Sequence, residues 1–266
     1  MHVKPPFTSW IRPERLGGNS RMTLILGMIC RDRLLFCADR EENTEGFGKR
    51  SVSKIHEGSG TNWQMLIATS GHGPLADVAA GRIIAAARET PSFNLNPQKK
   101  IEEVLAEVYE QYVFCRDEQR QRHRDISLII GITEEENYRR FLFKTYEDVV
   151  KPEGYFACAG AGVDLAYYFL DHCFGDGLSG GEAEVLTAFI LREAKASVGG
   201  VGLGSEFATV MFDGRYKGMS GTKLIGQSLD WQFIPPFAKV FAPFWKDNEK
   251  ALVVKPSTAQ KLKPKK

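Results

Sequence analysis

Short apolar segments separated by charged or glycine-containing turns dominate the chain after its first twenty or so residues. Residues 23–27 and 34–38 are apolar runs on either side of a polar turn, so they predict a hairpin of buried strands. Residues 51–56 and 63–69 predict a second pair of strands, because a polar segment with two glycines lies between them. The N-terminal part is therefore expected to be rich in β-structure.

Two helices are predicted next, each by one apolar face. In the first, apolar residues recur at steps of three and four between positions 75 and 86. The second helix has the clearer stripe, and Asn96 is its expected N-cap, with Pro97 in the first turn. The stripe of the second helix consists of Ile101, Val104, Leu105, Val108, Tyr109 and Tyr112.

The remaining apolar segments continue this grouping of strands and helices. Strands are predicted at 126–132, 141–146, 156–159 and 207–212, and helices at 164–174 and 182–196. Strands and helices thus occur in groups instead of alternating one by one. This order favours an α+β fold of stacked layers over a doubly wound parallel sheet.

The chain divides into three parts. Residues 1–22 contain prolines and glycines without periodicity, which predicts an N-terminal extension or a translation start assigned too early. Residues 23–245 form one predicted domain, and its last part carries aromatic residues among prolines that are expected to wrap the domain or dock on a neighbouring subunit. Residues 246–266 are basic and are expected to be a disordered tail.

Composition narrows the class of protein. Of 266 residues, 43% are hydrophobic and 26% are charged, which is ordinary for a globular protein. The net charge of +2 gives no argument for nucleic acid or a membrane surface as partner, and no apolar run approaches the roughly 20 residues that span a bilayer. We therefore expect a cytoplasmic protein.

The five cysteines show no pattern typical of a metal site or a disulfide framework. They are scattered and odd in number, so they are expected to be buried free thiols. The glycine-containing segment at 160–163 lacks the third glycine of a dinucleotide-binding turn. No cofactor and no metal are expected.

The segment MTLILGMICRDRLLFCADR resembles the opening of proteasome β-type subunits, as do three features that follow it. Thr23 precedes Asp39 by sixteen positions, as in that family. Lys54 then stands before a branched apolar residue, and Gly71 ends a Ser-Gly pair after the next strand. The resemblance covers residues 23–212. It implies the four-layer αββα sandwich of the N-terminal-nucleophile hydrolases.

The resemblance also implies a chemistry. At a free N-terminus, the hydroxyl of Thr23 attacks an amide carbonyl while its own α-amine removes the proton. Lys54 and its partner Asp39 would tune this pair, and the N–H of Gly71 would donate to the oxyanion. The substrate pocket implied by the same match is lined by Val52, His56 and Thr69.

Two departures from the family pattern leave alternatives open. Met22 precedes Thr23, so exposure of the nucleophile is expected from a start at Met22 followed by removal of that methionine. Where the family has two serines this sequence has Ala161 and Val163, and Lys195 stands in the position of an aspartate. The first expectation is a threonine-type peptidase. The alternatives are an inactive structural or assembly subunit and a small-molecule amidase.

The resemblance finally implies partners. Relatives assemble into rings that enclose their sites, so a ring-like homo-oligomer is expected. Its substrate would be a polypeptide, and an unfoldase that feeds the chamber is a further expected partner.

Overall fold

The computed structural model describes residues 23–44, 48–89, 93, 96–116, 124–134, 138–174 and 178–212. Within them the strands are β1 (Leu24–Ile29), β2 (Arg33–Asp39), β3 (Glu41–Thr44), β4 (Gly48–Ser51), β5 (Ile55–Ser59), β6 (Trp63–Gly71), β7 (Ile126–Glu134), β8 (Arg140–Tyr146), β9 (Val149–Pro152), β10 (Phe156–Gly160) and β11 (Ser205–Met211). The helices are α1 (Gly73–Glu89), α2 (Pro97–Tyr109), α3 (Val163–Cys173) and α4 (Gly180–Ser197).

The strands form two main sheets and a small hairpin. The first sheet has the order β10-β1-β2-β11, and the second has the order β5-β6-β7-β8-β9. Each neighbouring pair is antiparallel. Strands β3 and β4 pair with each other and with no other described strand, and they lie between β2 and β5 in the sequence. The first sheet is completed by strands from the C-terminal half of the chain, β10 and β11.

Three apolar clusters define four layers. One cluster lies between the two sheets and contains Ile25 and Phe36 of the first sheet with Leu66 and Ile129 of the second. A second cluster joins the outer face of the second sheet to α1 and α2. A third joins the outer face of the first sheet to α3 and α4. The predicted four-layer αββα sandwich is confirmed.

Strand β6 shows how the alternation of side chains builds two of these interfaces. Met65 and Ile67 belong to the cluster under the helices, whereas Leu66 and Ala68 belong to the cluster between the sheets. Successive residues of a strand point to opposite faces, so a strand that is apolar at every position is buried on both sides. This explains why β6 has a continuous apolar run.

Glycine in β7 allows the two sheets to approach at Phe36. A Cβ placed on Gly131 would lie 2.7 Å from Cε2 of Phe36 and 3.1 Å from Cδ1 of Leu34. Phe36 is fully buried, so its ring has little room to move.

We therefore expect Gly131→Ala to lower the free energy of unfolding by about 1–3 kcal/mol through overpacking. Urea denaturation would measure the change. Gly154→Ala is the matched control, because a Cβ there meets nothing within 4 Å. Equal effects of the two substitutions would contradict this packing role.

The predicted strand at 51–56 is wrong. Strand β4 ends at Ser51 and β5 begins at Ile55, so three residues bridge two different sheets. Val52 N–H donates to the carbonyl of Arg40 at 3.0 Å, and Lys54 N–H donates to a carboxylate of β11. These hydrogen bonds to other parts of the chain fix the bridge. Local propensity does not predict it, because the partners are not neighbours in the sequence. Strands β3, β4 and β9 were not predicted, because each has four residues and no alternation of apolar and polar positions.

The cap of α2 was predicted correctly. Asn96 Oδ1 accepts a hydrogen bond from Lys99 N–H at 3.2 Å, and Pro97 occupies the first turn. After Tyr109 the helix widens into a π-helical turn, Glu110–Phe114.

The cysteines largely follow the expectation. Cys30, Cys37, Cys158 and Cys173 are buried free thiols, but Cys115 is exposed, so the prediction was wrong for that residue. It lies just beyond the π-helical turn Glu110–Phe114.

Other sequence predictions fall outside the described part of the chain. These are the extension at 1–22, the aromatic segment after residue 225 and the basic tail at 246–266. In the described part, no helix combines the length and apolarity needed to cross a membrane. The same residues contain no group of three or more His, Cys, Asp or Glu side chains that could hold a metal ion.

Candidate active site

Thr23 lies immediately before β1, at one end of the first sheet. Its side chain has the same parity as Ile25, which faces the space between the sheets. Thr23 is 5% exposed, and its carbonyl accepts a hydrogen bond from Ala161 N–H at 2.6 Å. The end of β10 therefore holds the backbone of Thr23 in place.

Lys54 is a charged neighbour of the Thr23 hydroxyl and forms a hydrogen bond with it. Lys54 Nζ donates to Thr23 Oγ1 at 2.7 Å and to the carbonyl of Glu41 at 2.6 Å. Both carboxylate oxygens of Asp39 lie 3.4 Å from the same nitrogen. Lys54 is only 6% exposed, so the three donors of its ammonium are directed by the protein and not by water.

Burial lowers the pKa of the Lys54 ammonium below its usual value of 10.5, although the charge of Asp39 opposes this effect. Between the lowered pKa and 10.5, the unfolded chain binds more protons at this residue than the folded chain does. The contribution of Lys54 to the free energy of unfolding therefore rises with pH in that window and is lost as pH falls through the lowered pKa.

We expect the free energy of unfolding of wild type to increase relative to that of Lys54→Met as pH rises towards 10.5. Urea denaturation at a series of pH values between 7 and 10 would show it. Lys151→Met serves as control, because that lysine is exposed at the edge strand β9. A difference independent of pH would contradict a lowered Lys54 pKa.

Asp39 is fully buried and joins three parts of the chain. Its Oδ1 accepts Leu24 N–H at 2.8 Å. Its Oδ2 accepts Glu41 N–H at 3.0 Å and Gly202 N–H at 3.2 Å. Such charge-assisted bonds to backbone amides are stronger than neutral ones. Asp39 thus fixes the start of β1 and the start of β3 next to Lys54.

Glu206 is a site residue that the sequence analysis missed. Its Oε2 accepts Lys54 N–H at 3.0 Å, and its Oε1 accepts the hydroxyl of Ser53 at 2.5 Å. It is 7% exposed and lies in β11, opposite Ala38 of β2. The sequence signal for Glu206 was a glutamate in a strand whose other residues are apolar or small, because a buried carboxylate needs hydrogen-bond partners. Glu206 fixes the backbone that presents Lys54 to Thr23.

Gly71 ends β6 at the same end of the sandwich, two residues after Thr69. Its φ of +100° is favourable for glycine, and a Cβ there would collide with the carbonyl of Asp125. These facts explain why glycine stands there. Its expected role as oxyanion donor stays a prediction.

The three expected pocket residues differ in surroundings. Val52 is half-buried in the bridge between β4 and β5. His56 is partly exposed, and its Nε2 lies 3.3 Å from Oδ1 of Asp77. Thr69 is 5% exposed, and its hydroxyl donates to the carbonyl of Lys54 at 3.2 Å. Thr69 therefore supports the Lys54 backbone, and contact of all three residues with substrate stays a prediction.

The residues that depart from the family pattern also lie near this centre. Ala161 binds Thr23 through its backbone, and Val163 begins α3. Lys195 Nζ donates to the hydroxyl of Ser205 at 2.7 Å, and Ser205 lies opposite Asp39 in the β2–β11 ladder. Burial lowers the pKa of Lys195, with Asp39 opposing. A second lysine thus stands near the carboxylate that Lys54 uses.

The similarity of this chain to known proteins lies in its structure. No protein-family model matches the sequence, and a search of curated proteins finds no match. Solved structures do match. Anbu from Pseudomonas aeruginosa, described as a helical assembly of the Anbu complex, superimposes with a TM-score of 0.66 at 13% identity, covering 89% of this chain and 99% of that chain.

Two further Anbu structures show the same likeness. A Gly-1 mutant of Anbu from Hyphomicrobium sp. strain MC1 gives a TM-score of 0.65 at 15% identity over 88% of this chain and 99% of that one. Anbu (ancestral beta-subunit) from Yersinia bercovieri gives 0.60 at 12% identity over 71% and 82%.

These neighbours correct the expected family. Anbu proteins are proteasome-like but form a family distinct from the proteasome β-type subunits, so the expectation of a proteasome β-type subunit was wrong. The short motifs around Thr23 and Asp39 belong to the start of the fold and did not separate the two families. At these identities the likeness concerns the fold. The chain has the proteasome-type fold of the N-terminal-nucleophile hydrolases.

Proposed function

We propose that this protein is an amide hydrolase in which Thr23, exposed as the N-terminal residue, is the nucleophile, and that its substrate is a polypeptide. The observation that carries the proposal is the 2.7 Å contact between Lys54 Nζ and Thr23 Oγ1. A buried lysine directed at a threonine hydroxyl favours development of negative charge on that oxygen. Asp39 supplies the opposite charge that such a buried cation needs.

The reaction would proceed through an ester intermediate. The α-amine of Thr23 takes the hydroxyl proton while Oγ1 forms a bond to the substrate carbonyl carbon. The resulting oxyanion would accept the N–H of Gly71. The C–N bond then breaks, and the amine leaving group takes the proton from the α-ammonium. A water molecule, activated by the same α-amine, hydrolyses the ester and restores Thr23.

The α-amine suits this task. Its ordinary pKa is about 7.7–8.0, so a useful fraction is neutral near pH 7. Lys54 adds a positive charge within one hydrogen bond of Oγ1, which disfavours protonation of the neighbouring amine. The base and the group that stabilises the alkoxide are therefore different groups.

The domain assignment and the assembly belong to the same proposal. We infer one catalytic domain at 23–245, an extension before it and a tail at 246–266. The helical assembly of the Pseudomonas aeruginosa protein supports self-association of this chain as well. Light scattering of the purified protein should give a mass well above that of one chain, and a monomer at micromolar concentration would contradict self-association. A ring as its form, and an unfoldase as partner, stay predictions.

Covalent labelling tests the nucleophile. The full chain is expressed, its N-terminus is mapped, and the protein is treated with a peptidyl β-lactone, which acylates an activated hydroxyl. Peptide mapping by mass spectrometry is expected to find Thr23 as the N-terminal residue and to place the adduct on its hydroxyl.

Thr23→Ala is the control for this experiment and should carry no adduct. Thr8, Ser9 and Ser20 lie before Thr23, so an adduct on any of them would show non-specific acylation. A chain that keeps the residues before Thr23 and stays unlabelled would overturn the proposal. An inactive assembly subunit would then be the better description of this protein's function.

A further inference from the structure

Ser70 carries a buried hydroxyl for which the described part of the chain offers no hydrogen-bond partner. It is 4% exposed. In β6 it has the same parity as Leu66 and Ala68, which face the space between the sheets. Ser70 is thus the polar end of an apolar face, and it faces the same space between the sheets as the side chain of Thr23.

The position of Gly160 shows how close this hydroxyl is to Thr23. A Cβ placed on Gly160 would lie 2.8 Å from Ser70 Oγ, and the same Cβ would collide with the carbonyl of Thr23. Gly160 pairs with Leu24 across β10 and β1. The Ser70 hydroxyl, the last residue of β10 and the backbone of Thr23 therefore meet at one point.

Two other buried polar atoms make no hydrogen bond within the described residues, Tyr109 Oη and His56 Nε2. Tyr109 belongs to the cluster beneath α1 and α2, whereas His56 Nε2 has the Asp77 carboxylate 3.3 Å away as an ion-pair partner when it is protonated. A buried hydroxyl that makes no hydrogen bond opposes folding, because it gives up its bonds to water. Such a group at the edge of a reaction centre suggests a partner that belongs to the reaction.

We propose that Ser70 is a positioning residue whose Oγ accepts a hydrogen bond from the α-ammonium of Thr23. This inference rests on the proposed function, in which that amine is the base. The amine gains a proton when Thr23 attacks, and the resulting ammonium needs acceptors in a site that already contains two lysines. Ala161 and Val163 have no hydroxyl to offer, whereas the Ser70 oxygen has unused capacity.

The charges around this amine are the same in wild type and in a Ser70 variant. Lys54 and Lys195 disfavour its protonated form, and Asp39 favours it. Glu42 and Glu41, both from β3, favour the charged form of Lys54 as Asp39 does, and Glu206 from β11 accepts the Lys54 N–H. The negative charges of these three glutamates act on the amine in the same direction as that of Asp39. A change in titration on removal of the Ser70 hydroxyl therefore reports that hydroxyl.

The test is Ser70→Ala, made in the full chain and studied in the form whose N-terminus is Thr23. We expect kcat/KM for a peptide substrate to fall by about 10-fold to 100-fold, the range for a hydrogen bond to a charged group. We also expect the acidic limb of the pH profile to move to lower pH, because an acceptor of the ammonium is lost. The midpoint of urea denaturation should not fall, because no existing bond is removed.

The amine can also be followed without turnover. Acetic anhydride acetylates only the neutral amine, so the rate of acetylation of Thr23 as a function of pH gives its pKa. That pKa should be lower in Ser70→Ala. Thr145→Val is the matched control: it removes a buried hydroxyl that accepts Leu128 N–H at 2.9 Å, so it should lower stability and leave the amine titration unchanged.

The outcomes separate this inference from the proposed function. If Thr23 is labelled by the lactone while Ser70→Ala keeps the wild-type rate and amine pKa, the proposed function stands and the role of Ser70 is overturned. A loss of stability like that of Thr145→Val without a shift in titration would also overturn it. If Thr23 is neither exposed nor labelled, both fail together.

Discussion

Lys54→Met is expected to lower kcat/KM for a peptide substrate by at least about 100-fold, the lower end of what one preorganised donor to a developing negative charge contributes. Methionine has a similar length but cannot donate to Thr23 Oγ1, so the developing alkoxide would lose its nearest positive charge. Steady-state hydrolysis of a fluorogenic peptide would measure the loss. Lactone labelling of Thr23 should slow by a similar factor, because it uses the same nucleophile.

Lys151→Met is the control for this loss, because that lysine is exposed in β9 and pairs only loosely with Glu153, at 3.7 Å, among the described residues. It should retain wild-type turnover. Thermal unfolding of both variants separates chemistry from folding. Wild-type turnover in Lys54→Met would remove Lys54 from the mechanism. The description of the fold would be unaffected, because it rests on the three apolar clusters.

Asp39→Asn is expected to destabilise the fold by about 3–5 kcal/mol, the usual cost of removing one partner of a buried ion pair. Asparagine offers one accepting oxygen, whereas Asp39 accepts backbone N–H groups on both of its oxygens. The amide nitrogen would face a donor, and the Lys54 ammonium would lose its nearest counter-charge. Urea denaturation would measure the change, and activity should fall with it.

Asp171→Asn is the matched control, because that aspartate is exposed on α3. A double-mutant cycle with Lys54→Met adds a sharper criterion. The two substitutions should be less than additive, since each removes one side of the same ion pair. Additive costs, or a cost for Asp39→Asn no larger than that of the control, would refute the role of Asp39 as the buried counter-charge.

Local pattern and tertiary structure contributed differently to the candidate site. The order Thr23, Asp39, Lys54 is visible in the sequence, and the structure brings these three side chains together. The bridge between β4 and β5 could not be predicted from the sequence, because residues 52–54 form hydrogen bonds with residues elsewhere in the chain. Lys54 N–H binds Glu206, which is 152 positions away.

The sequence by itself determined the succession of the longer strands and of the helices, since each follows from the spacing of apolar residues within a few turns of chain. It did not determine the four-residue strands β3, β4 and β9, which have no such spacing. The grouping of strands and helices also favoured stacked layers, whereas the number and order of the four layers were implied by the resemblance of the residues around Thr23 to proteasome β-type subunits. Only the tertiary structure decided that β10 and β11 flank β1 and β2, which sets Ala161, Gly202 and Glu206 around the site. It alone placed the Ser70 hydroxyl beside Thr23. The physical reason is that buried polar groups are satisfied by whichever chain segments the sheets bring to them, and sheet register is a property of the whole fold.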